Sequence, residues 1–317
     1  MNAIQEAKRS LYRGLIFKCS QIGFALRSTL CYTNRINVGI HDYAEYVAQL
    51  RDGDSVFIST RETEVPIHTV VAILRARNVR VVFYIMEEPL VAWEFVERLL
   101  PVSIRILVQN NTYDHPKVGI MPIGIRDCGD VVVAHHQFKH ASLYEIGSEL
   151  RSNDIIGVRP IKCMLCFSVW THHSRKECYH YFTTQSRSFI LNLNELAMEF
   201  HNKDSGYFLG KIQPIVVYRK TTESQYALCP RGCGVDTHRF YECIYLGCVP
   251  IVVRTNTVFD RLYREFPCLI VNKWADVTEE LLDRCYPECQ AKMRDFHARY
   301  PRFLTDLDSI EDLLLRL

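Results

Sequence analysis

The stretch YALCPRGCGVDTHRFYECIYLGCVPIVV, residues 226–253, contains a complete strand–turn–helix–strand unit. Apolar runs at Tyr226–Cys229 and Ile251–Val253 predict two buried strands, and the amphipathic pattern of Thr237–Leu246 predicts a helix between them. Gly247 suits the left-handed position that ends such a helix. Because two strands joined by a helical crossover lie parallel, this stretch predicts an α/β fold.

The same alternation extends along the whole chain. Apolar, β-rich runs recur between amphipathic helical patterns such as Leu90–Leu100, and this order predicts parallel sheets with helices on both faces. The predicted strands are Ser55–Ser59, Val79–Met86, Ile104–Val108, Cys163–Trp170, Tyr226–Cys229, Val249–Val253 and Cys268–Val271.

The polar segment Asn153–Pro160 separates the first three runs from the last four. It contains Gly and Pro, which are typical of linkers, and 317 residues is an ordinary length for two domains. We therefore expect an N-terminal domain at 1–155 and a C-terminal domain at 156–317. The second closes with helical patterns at Glu279–Arg284, Glu288–Tyr300 and Ser309–Leu317, the last of which could pack back across both halves.

Composition and charge exclude several classes of protein. Hydrophobic residues make up 48% of the chain and charged residues 23%, which is typical of a folded globular protein rather than a disordered or fibrous one. A formal net charge of +2 is too small for non-specific nucleic-acid binding. The longest apolar runs, such as Val81–Met86, are far shorter than the roughly 18 residues that a transmembrane helix needs.

The N-terminal segment and the cysteines bear on the cellular compartment. Basic residues alternate with apolar ones in the first 27 residues, which predicts an amphipathic helix, with a transit peptide as the alternative. The 13 cysteines are scattered through predicted strands and helices and indicate reduced thiols. Without a secretory signal or a membrane anchor, the sequence predicts a cytoplasmic protein.

The turn inside the deciding stretch has the chemistry of an anion site. Gly232 and Gly234 permit close approach of a ligand to a backbone that leads into a helix N-terminus, where unpaired N–H groups favour negative charge. Arg231 and Arg239 would strengthen that preference. Glu242 lies three residues after Arg239, on the same helix face, and could accept the hydroxyls of a ribose.

The string Pro-Arg-Gly-x-Gly-x-Asp-Thr-His-Arg-x-x-Glu, followed by Leu-Gly-Cys-Val-Pro-Ile-Val-Val, resembles the nucleotide-sugar-binding motif of exostosin-like (GT47-like) glycosyltransferases. That family has the GT-B architecture, in which two Rossmann-like domains face each other across a cleft. Ser168–Arg175 resembles the loop that brings a basic residue toward the donor phosphates. In the first domain, Val108–Thr112 and Met121–Ile125 resemble loops that line the cleft.

The resemblance implies the transfer of a sugar from a nucleoside diphosphate, UDP being favoured, to a glycan or glycoprotein acceptor. It implies inversion at the anomeric carbon and no metal cofactor. The chain lacks the anchor and stem of membrane-bound members and is similar to short free-standing forms such as those of large viruses. The implied donor-binding residues are Arg175, Arg231, Gly232, Gly234, Asp236, Thr237, His238, Arg239 and Glu242.

A general base for the acceptor hydroxyl is expected from the first domain, because the acceptor would bind across the cleft. Acidic residues that follow predicted strands are candidates, since the carboxyl ends of parallel strands meet at one edge of a sheet. Glu62, Glu64 and Asp114 are the favoured candidates for this base.

Two other interpretations stay open. Asp52-Gly53-Asp54 and Asp306-Leu307-Asp308 mimic the DxD motif of metal-dependent glycosyltransferases, but the first precedes its strand like a turn and the second lies near the C-terminal helix. The function itself has two alternatives: a fucosyltransferase-like GT-B enzyme that uses a GDP-sugar, or an inactive nucleotide- or sugar-binding protein with the same fold.

Overall fold

The structure is a computed structural model that describes residues 6, 15, 17–32, 43–59, 66–86, 91–125, 142–150, 158–184, 187–195 and 214–317. The chain folds into two compact units. Unit 1 comprises Met1–Gly129, Thr257–Leu262 and Arg302–Leu317, and unit 2 comprises Asp130–Asn256 and Tyr263–Pro301. Each unit contains a parallel five-stranded sheet, so the predicted α/β fold class is confirmed.

The sheet of unit 1 has its strands in chain order, β1-β2-β3-β4-β5. The strands are β1 Leu30–Tyr32, β2 Ser55–Ser59, β3 Val81–Met86, β4 Ser103–Val108 and β5 Val118–Ile120. The helices are α1 Gln21–Arg27, α2 Tyr43–Val47, α3 Ile67–Ala76 and α4 Trp93–Leu99, with a 3-10 turn at Leu100–Val102. Residues 142–150 are also helical.

Nearly continuous burial along β2, β3 and β4 explains the apolar runs in the sequence, because strands covered on both faces carry few polar residues. Helix α3 buries Ile67, Val70 and Leu74 at the spacing of one helical face. These side chains join the strand residues in the hydrophobic core of unit 1.

The sheet of unit 2 has the order β10-β9-β8-β6-β7. Its strands are β6 Ile161–Leu165, β7 Ile190–Asn192, β8 Ser224–Leu228, β9 Val249–Val253 and β10 Leu269–Val271. The remaining helices are α5 His173–Thr183, α6 Pro214–Thr222, α7 His238–Tyr245, α8 Thr257–Arg264, α9 Glu279–Arg299 and α10 Glu311–Arg316. Short 3-10 helices lie at Val169–Thr171, Trp274–Asp276 and Asp308–Ile310.

The strand predicted at Cys163–Trp170 is wrong in its second half. Strand β6 ends at Leu165, and Val169–Thr171 is a 3-10 helix. The carbonyl of Phe167 accepts a hydrogen bond from Asn194 Nδ2 at 2.9 Å, so a side chain replaces the strand partner beyond that point. Of the apolar residues that suggested a longer strand, Cys166 and Phe167 are buried, whereas Trp170 is 62% exposed.

The two helices predicted at Glu279–Arg284 and Glu288–Tyr300 form one helix, α9, which contains Pro287. The Thr278 side chain accepts the N–H of Leu281 and caps the N-terminus. Four buried side chains, Leu282, Cys289, Met293 and Phe296, keep the helix packed on both sides of the proline. Packing therefore outweighs the break that Pro287 predicts.

The C-terminal segment Arg302–Leu317 belongs to unit 1, whereas the sequence placed it in the domain 156–317. The Leu317 carbonyl accepts the N–H of Ile120 in β5 at 3.1 Å. The Leu304 carbonyl accepts the N–H of Lys18 at 2.6 Å, and Arg27 pairs with Asp308 at 2.9 Å. The boundary predicted at 155/156 lies outside the described residues and stays a prediction.

None of the helices in the described ranges is long and apolar enough to cross a membrane. The 12 cysteines in those ranges are all free thiols, while Cys128 lies outside them.

Candidate functional site

The candidate site surrounds the turn that joins β8 to α7, residues 229–237, at the carboxyl end of a central strand of unit 2. The predicted strand–turn–helix–strand order is confirmed, with α7 at His238–Tyr245 and Thr237 as its N-cap residue. Gly247 follows the helix with φ of 70°, the left-handed conformation expected of it. The turn therefore has the place that the sequence predicted for it.

Two groups on neighbouring elements hold the C-terminal end of α7. Arg159, which is buried, donates from Nη2 to the Leu246 carbonyl at 2.9 Å and from Nη1 to the Ser224 carbonyl at 3.0 Å. Burial lowers the pKa of Arg159, but these carbonyls satisfy its donors. His297 Nε2 lies 2.8 Å from the Ile244 carbonyl. The helix that carries Arg239 and Glu242 is thus fixed at its far end.

Asp236 shapes the turn from the inside. Its side chain is 3% exposed, and its carboxylate accepts the N–H of Thr237 at 2.9 Å and the hydroxyl of Tyr241 at 2.7 Å. Thr237 makes no side-chain capping bond. Both residues lie where the sequence placed them, but the Asp236 carboxylate binds the protein's own donors.

Arg175 at the start of α5 reaches across to the turn. Its Nε donates to the Arg231 carbonyl at 3.2 Å, and its Nη1 donates to the Ser168 carbonyl at 3.3 Å. A Cβ added at Gly232 would lie 3.0 Å from Arg175 Nη2, closer than most real contacts of this kind. Gly232 therefore makes room for the guanidinium; neither it nor Gly234 has positive φ.

Arg239 and Glu242 form an ion pair on one face of α7. Arg239 Nη1 lies 3.3 Å from Glu242 Oε2, and the two side chains are only 19% and 14% exposed. The hydroxyl of Tyr218 on α6 donates to Glu242 Oε1 at 3.5 Å. The pair is therefore largely shielded from water, and the buried Tyr218 lies against its carboxylate.

The charges of the site affect one another. Burial lowers the pKa of Arg175, and the nearby Arg239 lowers it further. Burial also acts against the charged form of Arg239, but the Glu242 carboxylate together with Cys166, Cys243 and Tyr218 outweighs it, and the pKa of Arg239 is raised. Burial raises the pKa of Tyr218, and Glu242 adds to that increase.

Positive charge is in excess around the turn. Arg175 and Arg231 form no ion pair with any acid in the described ranges, and Arg231 Nε is buried without a hydrogen-bond partner there. Glu242 is paired with Arg239, and Asp236 is bound by Tyr241. An anion with several oxygen atoms is the ligand that three neighbouring guanidinium groups bind best.

The remaining predicted donor residues lie in the same region. Gly232, Gly234 and Thr237 are buried, and His238 is half-buried at the first position of α7. His238 lies one helical turn before Glu242, so the two share a face of the helix. The structure thus brings together the donor-binding residues predicted in unit 2.

The base candidates are less well placed. Asp114 in unit 1 pairs with Arg261 at 2.8 Å, and its side chain is 64% exposed. Glu62 and Glu64 lie outside the described residues. The loops predicted to line the cleft are mostly buried within unit 1, where the Asn111 side chain bonds to the backbone of Tyr113.

The aspartate pairs that mimic DxD bind other groups. Asp52 and Asp54 accept the N–H groups of Arg80 and Arg51, and Gly53 has φ of 85°, as expected of a turn. The other two acids form ion pairs at the surface, Asp306 with Arg302 and Asp308 with Arg27. Within the described ranges, no three His, Cys, Asp or Glu side chains are grouped as metal ligands.

Two residues near the site were missed by sequence reasoning. Tyr218 on α6 contacts Glu242, but α6 gives no motif that marks it. His172 belongs to no recognised sequence motif of its own, although it lies in the segment that carries Arg175. Its position next to a predicted phosphate-binding residue was the available signal.

No protein-family model matches the chain, and no curated protein matches it. Among solved structures, an α,α-trehalose-phosphate synthase (UDP-forming) from Burkholderia xenovorans, in complex with glucose-6-phosphate, is similar with a TM-score of 0.41 and 13% identity. The match covers 86% of this chain and 76% of that one.

The α,α-trehalose 6-phosphate synthase from Burkholderia multivorans has a TM-score of 0.39 and 12% identity, over 86% of this chain and 74% of that one. MurG from Acinetobacter baumannii has a TM-score of 0.36 and 12% identity, over 80% and 71%. Because these TM-scores lie below 0.5, the similarities assign neither activity nor substrate to this chain.

Proposed function

We propose that the chain is a GT-B glycosyltransferase, similar to exostosin-like enzymes, that transfers a sugar from a nucleoside diphosphate to a glycan or glycoprotein acceptor. UDP is the favoured nucleotide. The observation that carries the proposal is that Arg175 bonds to the glycine turn that holds Arg231 and leads into the helix of Arg239, and that only Arg239 of the three is ion-paired within the described residues. The sequence motif of that turn supports the same assignment.

The arginines would stabilise the leaving group. When the bond to the anomeric carbon breaks, negative charge grows on the diphosphate, and donors already in place lower the barrier without having to reorganise. Arg231 and Arg175 have charge available for this, since no acid in the described residues pairs with them. The two guanidinium groups would neutralise this charge as a divalent ion does in metal-dependent glycosyltransferases, so the proposed reaction needs no metal.

Glu242 would orient the nucleotide by accepting the ribose hydroxyls. Arg239 and Tyr218 hold the carboxylate in place, and a group fixed in this way orients a ligand at a smaller entropic cost. Its remaining exposed surface leaves room for a hydroxyl donor. Gly232, Gly234 and the N–H groups near Thr237 and His238 would bind the rest of the donor.

The acceptor requires a base, and direct displacement by the deprotonated hydroxyl would invert the anomeric centre. Asp114, Glu62 and Glu64 stay the proposed candidates. Only Asp114 has a described environment, and its carboxylate is already bonded to Arg261. It would have to exchange that bond for the acceptor hydroxyl.

A nucleotide panel tests the proposal directly. Calorimetric titration with UDP, GDP and CMP is expected to give the tightest binding for UDP, and Arg231→Ala is expected to weaken it. Hydrolysis or transfer from UDP-sugars, measured as nucleotide release, is the second readout. Preference for GDP and GDP-sugars would favour the fucosyltransferase-like alternative, binding without turnover would favour an inactive binding protein, and no binding of any nucleotide would refute the proposal.

A further inference from the structure

His172 lies between two points where its segment is bonded to the glycine turn. On one side, the Thr171 carbonyl accepts a hydrogen bond from Cys233 Sγ at 3.8 Å. On the other, Arg175 Nε donates to the Arg231 carbonyl at 3.2 Å. The N–H of Arg175 also donates to the carbonyl of His172 itself at 3.1 Å. The imidazole is therefore carried by a segment that is fixed against the candidate anion site.

The hydrogen bonds of His172 determine its tautomer. Nδ1 accepts the backbone N–H of Ser174 at 3.2 Å, which caps α5, and it lies 2.5 Å from Ser174 Oγ. Because a backbone N–H can only donate, Nδ1 has no proton in the neutral ring, and the proton is on Nε2. Within the described residues Nε2 makes no hydrogen bond. The ring thus offers one donor for which the described part of the chain supplies no acceptor.

Positive groups surround this ring. Burial has the largest effect on the pKa of His172 and lowers it. Arg231 of the turn lowers it further, and so do His173 and Arg175 of its own segment. Glu177, also on α5, has the opposite and smaller effect. The His173 ring lies against it, with centroids 4.0 Å apart. The imidazole is therefore neutral at neutral pH in the free protein.

We propose that His172 is a further residue of the anion site, whose Nε2–H donates to an oxygen of the bound nucleoside diphosphate. The inference rests on the proposed function, because it takes the ligand to be the diphosphate that Arg175 and Arg231 bind. A donor that is neutral in the free protein adds a directed contact without adding another positive charge to the repulsion among the arginines before the ligand binds.

This contact has a consequence for proton binding. A diphosphate neutralises the arginine charges that lower the pKa of His172, so the bound complex has a higher His172 pKa than the free protein. Between those two pKa values, binding takes up a proton, and affinity increases as the pH falls through that window. The proton would go to Nδ1, which would then donate to Ser174 Oγ instead of accepting the Ser174 N–H. Outside the window, His172 contributes no proton uptake.

The test is calorimetric titration with UDP-glucose, whose diphosphate diester has no group of its own that titrates near neutrality. Titrations in two buffers with different ionisation enthalpies, at several pH values from 5.5 to 8, give the number of protons taken up. Two substitutions distinguish the roles of the two ring nitrogens. His172→Asn keeps an acceptor near Nδ1 and a good N-cap residue, and His172→Gln keeps an N–H donor near Nε2.

We expect His172→Asn to bind UDP-glucose about threefold to tenfold more weakly, since one hydrogen bond is lost, with its melting temperature nearly unchanged. His172→Gln is expected to retain affinity within about threefold, and neither variant is expected to take up the proton. His180→Asn, the same substitution farther along α5, is the matched control and should behave like the unaltered protein.

Unaltered affinity and proton uptake in His172→Asn would overturn the inference. If Arg231→Ala abolished binding while both His172 variants took up the proton, the proposed function would stand and the role of His172 would be wrong. If UDP-glucose and UDP both failed to bind the unaltered protein, both proposals would fail together.

Discussion

Replacing Glu242 by Ala is expected to affect stability and ligand binding separately. The Glu242 carboxylate pairs with Arg239 at 3.3 Å and accepts a hydrogen bond from Tyr218. Removing one partner of a buried ion pair costs about 3–5 kcal/mol, because the other charge stays buried without compensation. With side chains 14% and 19% exposed, water reaches this pair in part, so we expect a loss at or just below the lower end of that range, about 2–3 kcal/mol.

That loss corresponds to a decrease in melting temperature of about 3–5 °C for a chain of this size. Scanning calorimetry of Glu242→Ala measures it. The matched control is the double variant Arg239→Met with Glu242→Met, in which an apolar pair replaces both charges and no charge is left alone. Such replacements are often nearly neutral, so the double variant should regain most of the lost stability.

Ligand binding distinguishes the structural role of Glu242 from its proposed ribose contact. Well below the melting temperature, Glu242→Ala should bind UDP roughly tenfold to a hundredfold more weakly, as expected for one charge-assisted hydrogen bond. The double variant should recover stability without recovering affinity. An unchanged melting temperature in Glu242→Ala would refute the buried pair, and unchanged UDP affinity would show that Glu242 serves Arg239 alone.

Three further outcomes are expected. Arg231→Ala and Arg239→Lys should each lower kcat and raise the donor KM, with a loss of tenfold to a hundredfold in kcat/KM. Ala removes the guanidinium, and the ammonium of Lys lacks its planar pair of donors. Near-normal steady-state kinetics of both variants would place the phosphate contacts elsewhere. Turnover should be unchanged in EDTA. If EDTA abolished turnover and Mn²⁺ restored it, the two DxD-like aspartate pairs would become the candidate metal ligands. Asp114→Asn should lower kcat by at least a hundredfold with little change in UDP affinity if Asp114 is the base, and unchanged kcat would leave Glu62 and Glu64.

The sequence predicts the centre of unit 2 well, because each boundary there has a local cause. The apolar run at Val249–Val253, the left-handed residue Gly247 and the amphipathic pattern of α7 all lie where the structure has them. The period of an apolar pattern and the residue types of a turn depend only on residues close in sequence, so both can be inferred without knowing the tertiary contacts. The positions of Arg239 and Glu242 on one helix face follow from the same local rule.

The sequence does not predict what those side chains contact. Burial of the Arg239–Glu242 pair depends on Tyr218, which comes from a separate helix. Strands β1, β5 and β7 have three residues each and lie in apolar stretches shorter or more interrupted than Cys268–Val271, the run that marked the equally short β10. The approach of Arg175 to Gly232 also depends on tertiary structure: the turn was expected to need glycine for ligand access, whereas the side chain of α5 fills that space.

The return of residues 302–317 to unit 1 sets an order of events during synthesis. Ribosomes make the sheet of unit 1 first, but the residues that bond to Ile120 and Lys18 are added only after all of unit 2. They emerge roughly 180 residues after β5, a delay of about 10–35 s at ordinary elongation rates. Of the two units, the one whose sheet is translated first is therefore completed last, and until then the N–H groups of Ile120 and Lys18 lack the carbonyls that residues 304 and 317 supply.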